Sequence, residues 1–116
     1  MNQVAVIHSA FEDTPRVVAF VNVGERTGVD ALEYAYVRTQ NIMGSWSKGP
    51  VFEWDGEEHD NLDYNEDVTV MAPLHKGDNG NEYGLRSTSV GDQLLFGTVK
   101  YRVASFGFEE LEVDFA

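Results

Sequence analysis

The chain has 116 residues, 42% of them hydrophobic, and its 20 acidic and eight basic residues give a formal net charge of −12. This length predicts one domain, residues 1–116, and the hydrophobic share excludes a disordered chain. Cysteine is absent, which excludes disulfides, a thiolate nucleophile and a zinc site built on sulfur. Free nucleic acid and anionic membranes are excluded as partners of most of the surface, because binding them begins with neutralisation of phosphates by Lys and Arg.

The sequence has no segment expected to enter a membrane or to direct export. No apolar window approaches the ~18 residues of a membrane-spanning helix. Residues 1–10 lack a basic segment in front of their apolar run, which His8 interrupts. We therefore expect a cytoplasmic protein. A high net charge also keeps small proteins soluble and monomeric, so the acidity has one explanation that involves no partner.

The first part of the chain predicts two strands followed by a helix. Residues 4–9 and 17–23 are short runs rich in β-branched side chains, and the turn-like sequence EDTPR separates them. The period then changes, and a helix over residues 29–43 is predicted. Its predicted inner face consists of side chains that recur at steps of three and four: Val29, Leu32, Tyr36, Thr39 and Met43.

The ends of this helix are predicted from its capping residues. Thr27 is a good N-cap, and Asp30 at the N3 position completes a pair that resembles a capping box. Gly44 supplies a stop at the other end. Together with the periodicity, these residues predict a helix of about four turns.

The rest of the chain returns to strands. Residues 67–73 predict a strand that Pro73 ends, and GDNGNEYG places an Asn-Gly turn between two extended stretches. QLLFGTVKYRVASF predicts a hairpin, and residues 108–115 alternate apolar and acidic side chains as a half-buried strand does. The predicted fold class is α+β, with one helix packed on a curled, mainly antiparallel β-sheet. The expected helix–sheet contact is made by Leu32, Tyr36, Met43, Val99, Tyr101 and Val103.

The sequence LRSTSVGDQLLFGTVKYRVASFGFEEL, residues 85–111, carries a further pattern: Arg-Ser-x-Ser-Val-Gly-Asp, a strand, a tight turn, then Tyr-x-Val and Gly-Phe. In it, Ser89 and Asp92 bracket a turn at Gly91. The segment, about a quarter of the chain, resembles the end of small proteins that phages, plasmids and integrative elements encode, including the YodL-like group. The resemblance implies an accessory protein of a mobile element that meets host machinery in the host cytoplasm. The pattern supplies no catalytic residues.

The most unusual stretch is WDGEEHDNLDYNED, residues 54–67, which holds seven carboxylates, one histidine, and neither lysine nor arginine. A calcium-binding loop is one interpretation, since Asp63, Asn65 and Asp67 match its first three ligand positions. The pattern then fails, because valine and leucine stand where such a loop needs Gly and a bidentate Glu. His59 has no second histidine or cysteine nearby. We therefore expect no metal and no other cofactor.

Enzymatic activity is not expected either. A carboxylate pair that serves as general acid and base needs one member buried with a raised pKa, whereas residues 53–60 are strongly polar. The serines lack a His-Asp arrangement and a nucleophile elbow. GDNGNEYG joins no predicted strand to a helix, and its acidic residues would repel a phosphate.

Two acidic lines remain as a binding surface: residues 53–67, expected to be an exposed loop, and the last strand, where alternate side chains lie about 6.6–6.8 Å apart. Such a row is comparable in spacing with successive phosphates, so we expect it to fit and block the basic groove of a host protein or complex that holds nucleic acid, of the restriction or CRISPR type. A solvated loop and strand without a partner is the open alternative. The predicted partner-binding residues are Glu53, Asp55, Glu57, Glu58, Asp60, Asp63, Glu66, Asp67, Glu110, Glu112 and Asp114, together with Trp54 and Tyr64.

A second interpretation is a non-enzymatic interaction or structural protein that uses aromatic anchors, which are favoured at protein interfaces. Salt distinguishes the two interpretations, because contacts between exposed charges weaken with ionic strength and apolar contacts do not. The candidate anchors flank the loops: Trp46, Trp54, Tyr64 and Tyr83.

Overall fold

A computed structural model describes residues 2–111 and contains one helix and ten strands within that range. The helix α1 spans Gly28–Arg38. The strands are β1 (Gln3–His8), β2 (Arg16–Asn22), β3 (Val51–Trp54), β4 (Glu57–Asp60), β5 (Val68–Val70), β6 (His75–Lys76), β7 (Glu82–Tyr83), β8 (Gln93–Phe96), β9 (Val99–Val103) and β10 (Phe108–Glu110).

Six strands form one open sheet in the order β10-β9-β8-β1-β2-β5, and every neighbouring pair is antiparallel. Two hairpins, β3–β4 and β6–β7, form separate two-stranded sheets. The predicted α+β fold, one helix with a mainly antiparallel sheet, is confirmed. The part of the last predicted strand that carries Glu112 and Asp114 lies outside the described residues. Between residues 2 and 111, no helix is both long enough and apolar enough to cross a membrane.

The core lies between α1 and the middle of the six-stranded sheet. The helix contacts β1 and β2, and its buried face consists of Ala31, Leu32 and Ala35. Tyr36 is half-buried, and its ring meets the Phe108 ring edge-on with the centroids 6.2 Å apart. The predicted packing of Leu32 and Tyr36 against the core is therefore confirmed.

The helix ends at Arg38, more than one turn before the predicted Met43. The Thr39 hydroxyl lies 2.9 Å from the Ala35 carbonyl and 2.8 Å from the Thr88 hydroxyl, and the Thr88 amide donates to the Thr39 carbonyl. These bonds tie the end of the helix to the segment before β8 in place of another helical turn. Met43 lies outside the helix and is exposed, so its predicted contact with the sheet is wrong.

The start of the helix also differs from the prediction. Thr27 is the N-cap, but its side chain makes no capping hydrogen bond. Gly28, the first helical residue, has a left-handed φ of +55°, whereas a capping box needs ordinary helical geometry at that position. The predicted reciprocal pair with Asp30 is not formed, and Val29 is exposed rather than on the buried face.

The Arg-Ser-x-Ser-Val-Gly-Asp pattern closes on a buried ion pair. The Asp92 side chain is fully buried, and its two oxygens accept hydrogen bonds from both terminal nitrogens of Arg86, at 2.7 and 2.8 Å. They also accept the backbone amides of Ser9, Ala10 and Ser89. Burial by itself raises the pKa of Asp92, but these donors outweigh burial and hold the pKa at about 2. The carboxylate thereby joins the end of β1 to the turn before β8.

His8 lies beside this ion pair as a core histidine. Its side chain is buried, with Nε2 3.1 Å from the Thr88 hydroxyl and 4.0 Å from an Asp92 oxygen. Its ring meets the buried Trp46 ring edge-on at 6.2 Å. Burial lowers the pKa of His8, so the neutral ring is favoured in the folded protein.

We expect Asp92→Asn to lower the free energy of unfolding by about 2–4 kcal/mol at neutral pH, because Arg86 loses its buried anionic partner and keeps only the partly exposed Glu12. The folded pKa of about 2 lies below the ordinary 3.8, so this stabilisation is present above about pH 4 and is lost as the pH falls towards 2. Denaturant unfolding at a series of pH values measures it. The exposed Asp13→Asn is the control. A gap between Asp92→Asn and the parent that stays constant down to about pH 2.5 would contradict the assignment.

Candidate functional site

The acidic segment begins as a hairpin and not as the predicted loop. Strands β3 and β4 pair in antiparallel register and are joined by the two-residue turn Asp55-Gly56. Both turn residues have left-handed φ angles, 52° and 81°, which is the requirement of a type I′ hairpin turn. We name residues 51–60 the acidic hairpin. The signal for it was in the sequence, since Asp-Gly between alternating side chains is typical of such turns.

The two faces of the acidic hairpin differ. Glu53 lies directly opposite Glu58, and Asp60 lies opposite Val51 on the same face. All of these side chains are exposed. We name Glu53, Glu58 and Asp60 the acid face. No Lys, Arg or His between residues 2 and 111 forms an ion pair with any of them.

The opposite face of the hairpin carries its aromatic side chains. The Lys48 ammonium lies 4.6 Å from the centre of the Phe52 ring and 5.0 Å from that of Trp54. The Trp54 ring also meets the Tyr83 ring edge-on at 5.0 Å. Glu57 and His59 complete this face, and the His59 ring lies 5.5 Å from Phe52. Stacking and cation–π contacts thus occupy this side, which leaves the acid face towards solvent.

Asn81 fastens the tip of the acidic hairpin to the β6–β7 hairpin. Its side-chain oxygen accepts the Asp55 amide at 2.9 Å, and its side-chain nitrogen donates to the Asp55 carboxylate at 2.7 Å. A cleft of about 750 Å³ lies between the two hairpins. Asp55 was predicted to be a partner-binding residue, and the structure gives its carboxylate this internal bond. Sequence reasoning had singled out neither Asn81 nor Lys48 as supports of the hairpin.

Two further predicted carboxylates are also bound within the chain. One Asp63 oxygen accepts three consecutive backbone amides, those of Ile42, Met43 and Gly44, at 2.7, 2.9 and 2.8 Å. Asp67 accepts a hydrogen bond from the Tyr34 hydroxyl. Burial raises the pKa of Tyr34, and the bond to Asp67 raises it further. Both aspartates are half-buried, so the expectation that the whole segment is freely exposed is wrong for them.

The remaining predicted residues are spread over the surface. Glu66 and Tyr64 are exposed in the loop that follows the acidic hairpin. Glu110 is exposed on β10, at the edge of the six-stranded sheet, and is therefore part of a different sheet from the acid face. Glu112 and Asp114 were predicted to continue the acidic row from Glu110, and they lie outside the described residues.

The three residues that match the first positions of a calcium-binding loop have other partners in the structure. Asp63 and Asp67 turn to the separate partners given above, and the Asn65 side chain accepts the Asp67 amide. In the part of the chain that the structure describes, no three side chains among His, Asp and Glu are grouped so that they could hold a metal ion.

The acid face carries an energetic cost that the fold does not offset. Like charges directly opposite each other on paired strands destabilise a sheet, and Glu53 faces Glu58 across the hairpin. Natural sequences depart from such local rules mainly at functional sites. The acid face is therefore the strongest candidate for a functional surface.

Comparison of the chain with family models, with curated proteins and with solved structures finds no match.

Glu58→Lys should stabilise the fold, because it replaces a repulsive cross-strand pair by an attractive one with Glu53. We expect a rise of a few degrees at most in the melting temperature at low salt, and a smaller rise at high salt. Glu66→Lys makes the same change of charge outside the hairpin and serves as the control. An equal rise in both variants would show that only net charge matters.

Asp63→Ala should lower the free energy of unfolding by about 1–3 kcal/mol, because three backbone amides lose their acceptor. Asp60→Ala removes an exposed carboxylate from the same segment and should change stability by less than about 0.5 kcal/mol. Denaturant unfolding of the two variants tests this contrast. Equal effects would mean that the bonds from Ile42, Met43 and Gly44 contribute nothing to stability.

Proposed function

We propose that this protein binds a nucleic-acid-binding protein or complex and inhibits it by placing the acidic hairpin in the basic groove that otherwise holds nucleic acid. The observation that carries the proposal is the acid face: two glutamates facing each other, with a third carboxylate beside them, exposed and without a cationic partner among residues 2–111.

The geometry of a hairpin suits this role. Carboxylates directly opposite each other have Cβ atoms about 4.5–5.5 Å apart, and alternate residues along a strand are about 6.6–6.8 Å apart. Glu53, Glu58 and Asp60 thus form a compact anionic array on one exposed face of a two-stranded element. A groove lined with Lys and Arg meets this array as it meets phosphates, and long-range attraction speeds the encounter.

We propose the class of target from the resemblance of residues 85–111 to proteins of mobile elements. Such elements meet host restriction and CRISPR complexes, which hold nucleic acid in basic grooves. The proposed role is that of a non-enzymatic inhibitor in the host cytoplasm. Glu110, with Glu112 and Asp114 beyond the described residues, is proposed as a second and separate acidic contact.

Burial reduces the number of aromatic side chains that could serve as anchors for a partner. Trp46 is buried, with its indole nitrogen donating to the Arg86 carbonyl, so it is a core residue. Trp54 is half-buried against Tyr83 and Lys48. Tyr64 is exposed, and no aromatic ring among residues 2–111 pairs with it.

The proposal is tested with two variants of equal charge. The hairpin variant replaces Glu53, Glu57, Glu58 and Asp60 by their amides, and the control variant does the same at four exposed carboxylates outside the segment, Asp13, Glu25, Asp30 and Glu33. Host proteins retained by the immobilised parent are purified, and their association rate with each variant is measured over a range of salt concentrations.

The hairpin variant should associate at least tenfold more slowly than the control variant at low salt, and this difference should shrink at high salt, because screening weakens the parent's attraction. Nucleic acid should compete with the parent for the retained protein. Equal rates for the two variants, or binding that nucleic acid leaves unchanged, would rule out the groove mechanism.

A further inference from the structure

Beside the acidic hairpin, two loops hold four large apolar side chains in solvent. Ile42 and Met43 follow the helix and are 70% and 68% exposed, while Leu62 and Tyr64 follow β4 and are 65% and 44% exposed. We name these four residues the apolar ledge. Three of them, all but Met43, line one shallow depression of about 70 Å³, together with Val37 and Arg38 of the helix. Ile42, Leu62 and Tyr64 thus share one surface, and Met43 is the neighbour of Ile42 in the chain.

The ledge is held in place by polar side chains beneath it. Asp63 accepts the amides of Ile42, Met43 and Gly44, as described above. Asn61 is buried, and its side chain accepts the Ser45 amide at 2.9 Å and donates to the Ser45 carbonyl at 2.6 Å. A Cβ atom on Gly44 would lie 2.3 Å from the Asn61 side-chain oxygen, so only glycine allows this approach. These bonds fix both loops, and the apolar side chains point outwards from a rigid base.

We propose that the apolar ledge is a docking site for a protein partner that offers an apolar pocket rimmed by Lys and Arg. Soluble proteins rarely leave a contiguous apolar surface in water unless it binds something. The basic rim follows from charge complementarity, since the exposed carboxylates Asp60 and Glu66 flank Leu62 and Tyr64 in the same segment. A second copy of the chain is disfavoured as the occupant, because two molecules of net charge −12 repel each other.

The identity of this partner rests on the proposed function: the protein that accepts the acidic hairpin is also the one that covers the ledge. Leu62 stands two residues after Asp60, the last residue of β4, so the ledge and the acid face are close along the chain and one partner can cover both. The hairpin then governs the rate of encounter, whereas the ledge governs the lifetime of the complex.

The probe is a displayed library of random linear peptides, selected on the immobilised parent protein at low salt, where apolar contacts and attraction between the carboxylates and basic residues both contribute to binding. Selected peptides are synthesised, and their affinity is measured for the parent, for Ile42→Ser with Leu62→Ser, and for Phe106→Ser. Phe106 is 96% exposed in the turn between β9 and β10 and is the matched control. The ledge substitutions leave the amide of Ile42 in place for Asp63, and unfolding curves check that the variants fold.

We expect peptides that combine large apolar residues with Lys or Arg, and a loss of affinity of at least tenfold in the ledge variant alone. The hairpin variant should bind the same peptides at high salt as the parent does, which separates failure of the ledge from failure of the acid face. Peptides that bind without Lys or Arg, or equally well to the ledge variant, would overturn the proposal. A dimer of the parent that Leu62→Ser dissolves would assign the ledge to a second copy and also overturn it.

Discussion

The Asp92 carboxylate is the interaction on which the rest of the fold depends. It accepts two bonds from the Arg86 guanidinium and three from the amides of Ser9, Ala10 and Ser89, all while fully buried. A buried charge is tolerated only when it is paired and hydrogen-bonded in this way. β1 is one of the two middle strands of the sheet and ends beside Asp92, so the same carboxylate joins the middle of the sheet to the turn before β8.

Two physically different groups can be distinguished among the acidic residues of this chain. Asp92, Asp63, Asp67 and Asp55 accept hydrogen bonds from the chain itself and hold loops and turns together. A second group, Glu53, Glu57, Glu58 and Asp60, is exposed on the acidic hairpin without a cationic partner among the described residues. The formal net charge of the chain does not distinguish between the two groups. The second group, unlike the first, is available to a partner, and it contains the opposed pair Glu53 and Glu58.

Sequence reasoning predicted the parts of the fold that local pattern determines. The period of the apolar residues identified the helix and the burial of Leu32, and the Gly97-Thr98 and Asn-Gly turns identified two hairpins that the structure contains. It failed where the deciding contact is remote in the chain. The end of the helix is set by Thr88, 49 residues from Thr39, and no periodicity reports such a bond.

The candidate site shows the same limit. The count of carboxylates in residues 54–67 located the acidic surface, and the Asp-Gly turn within it held the signal for a hairpin. The number of carboxylates did not show that the Asp63 side chain accepts backbone amides whereas the Glu58 side chain lies in solvent. Both are acidic residues in a polar stretch of sequence. The acidic pattern also did not indicate that the apolar residue Leu62 is exposed. The exposure of Leu62 depends on the hydrogen bonds of Asn61 and Asp63 beneath it.

Charge and apolar surface contribute differently to the binding proposed here. An exposed carboxylate adds little to affinity by itself, since water and salt screen it, but several acting together raise the rate of encounter. Exposed apolar side chains on a fixed base add affinity that salt does not remove, and they lose little conformational entropy because their loops are already ordered. The hairpin and the apolar ledge are adjacent in the chain, so an inhibitor built on them would find its target through charge and remain bound through apolar contact. This division explains why a small protein with a destabilising acid face would also keep Ile42, Met43, Leu62 and Tyr64 in water.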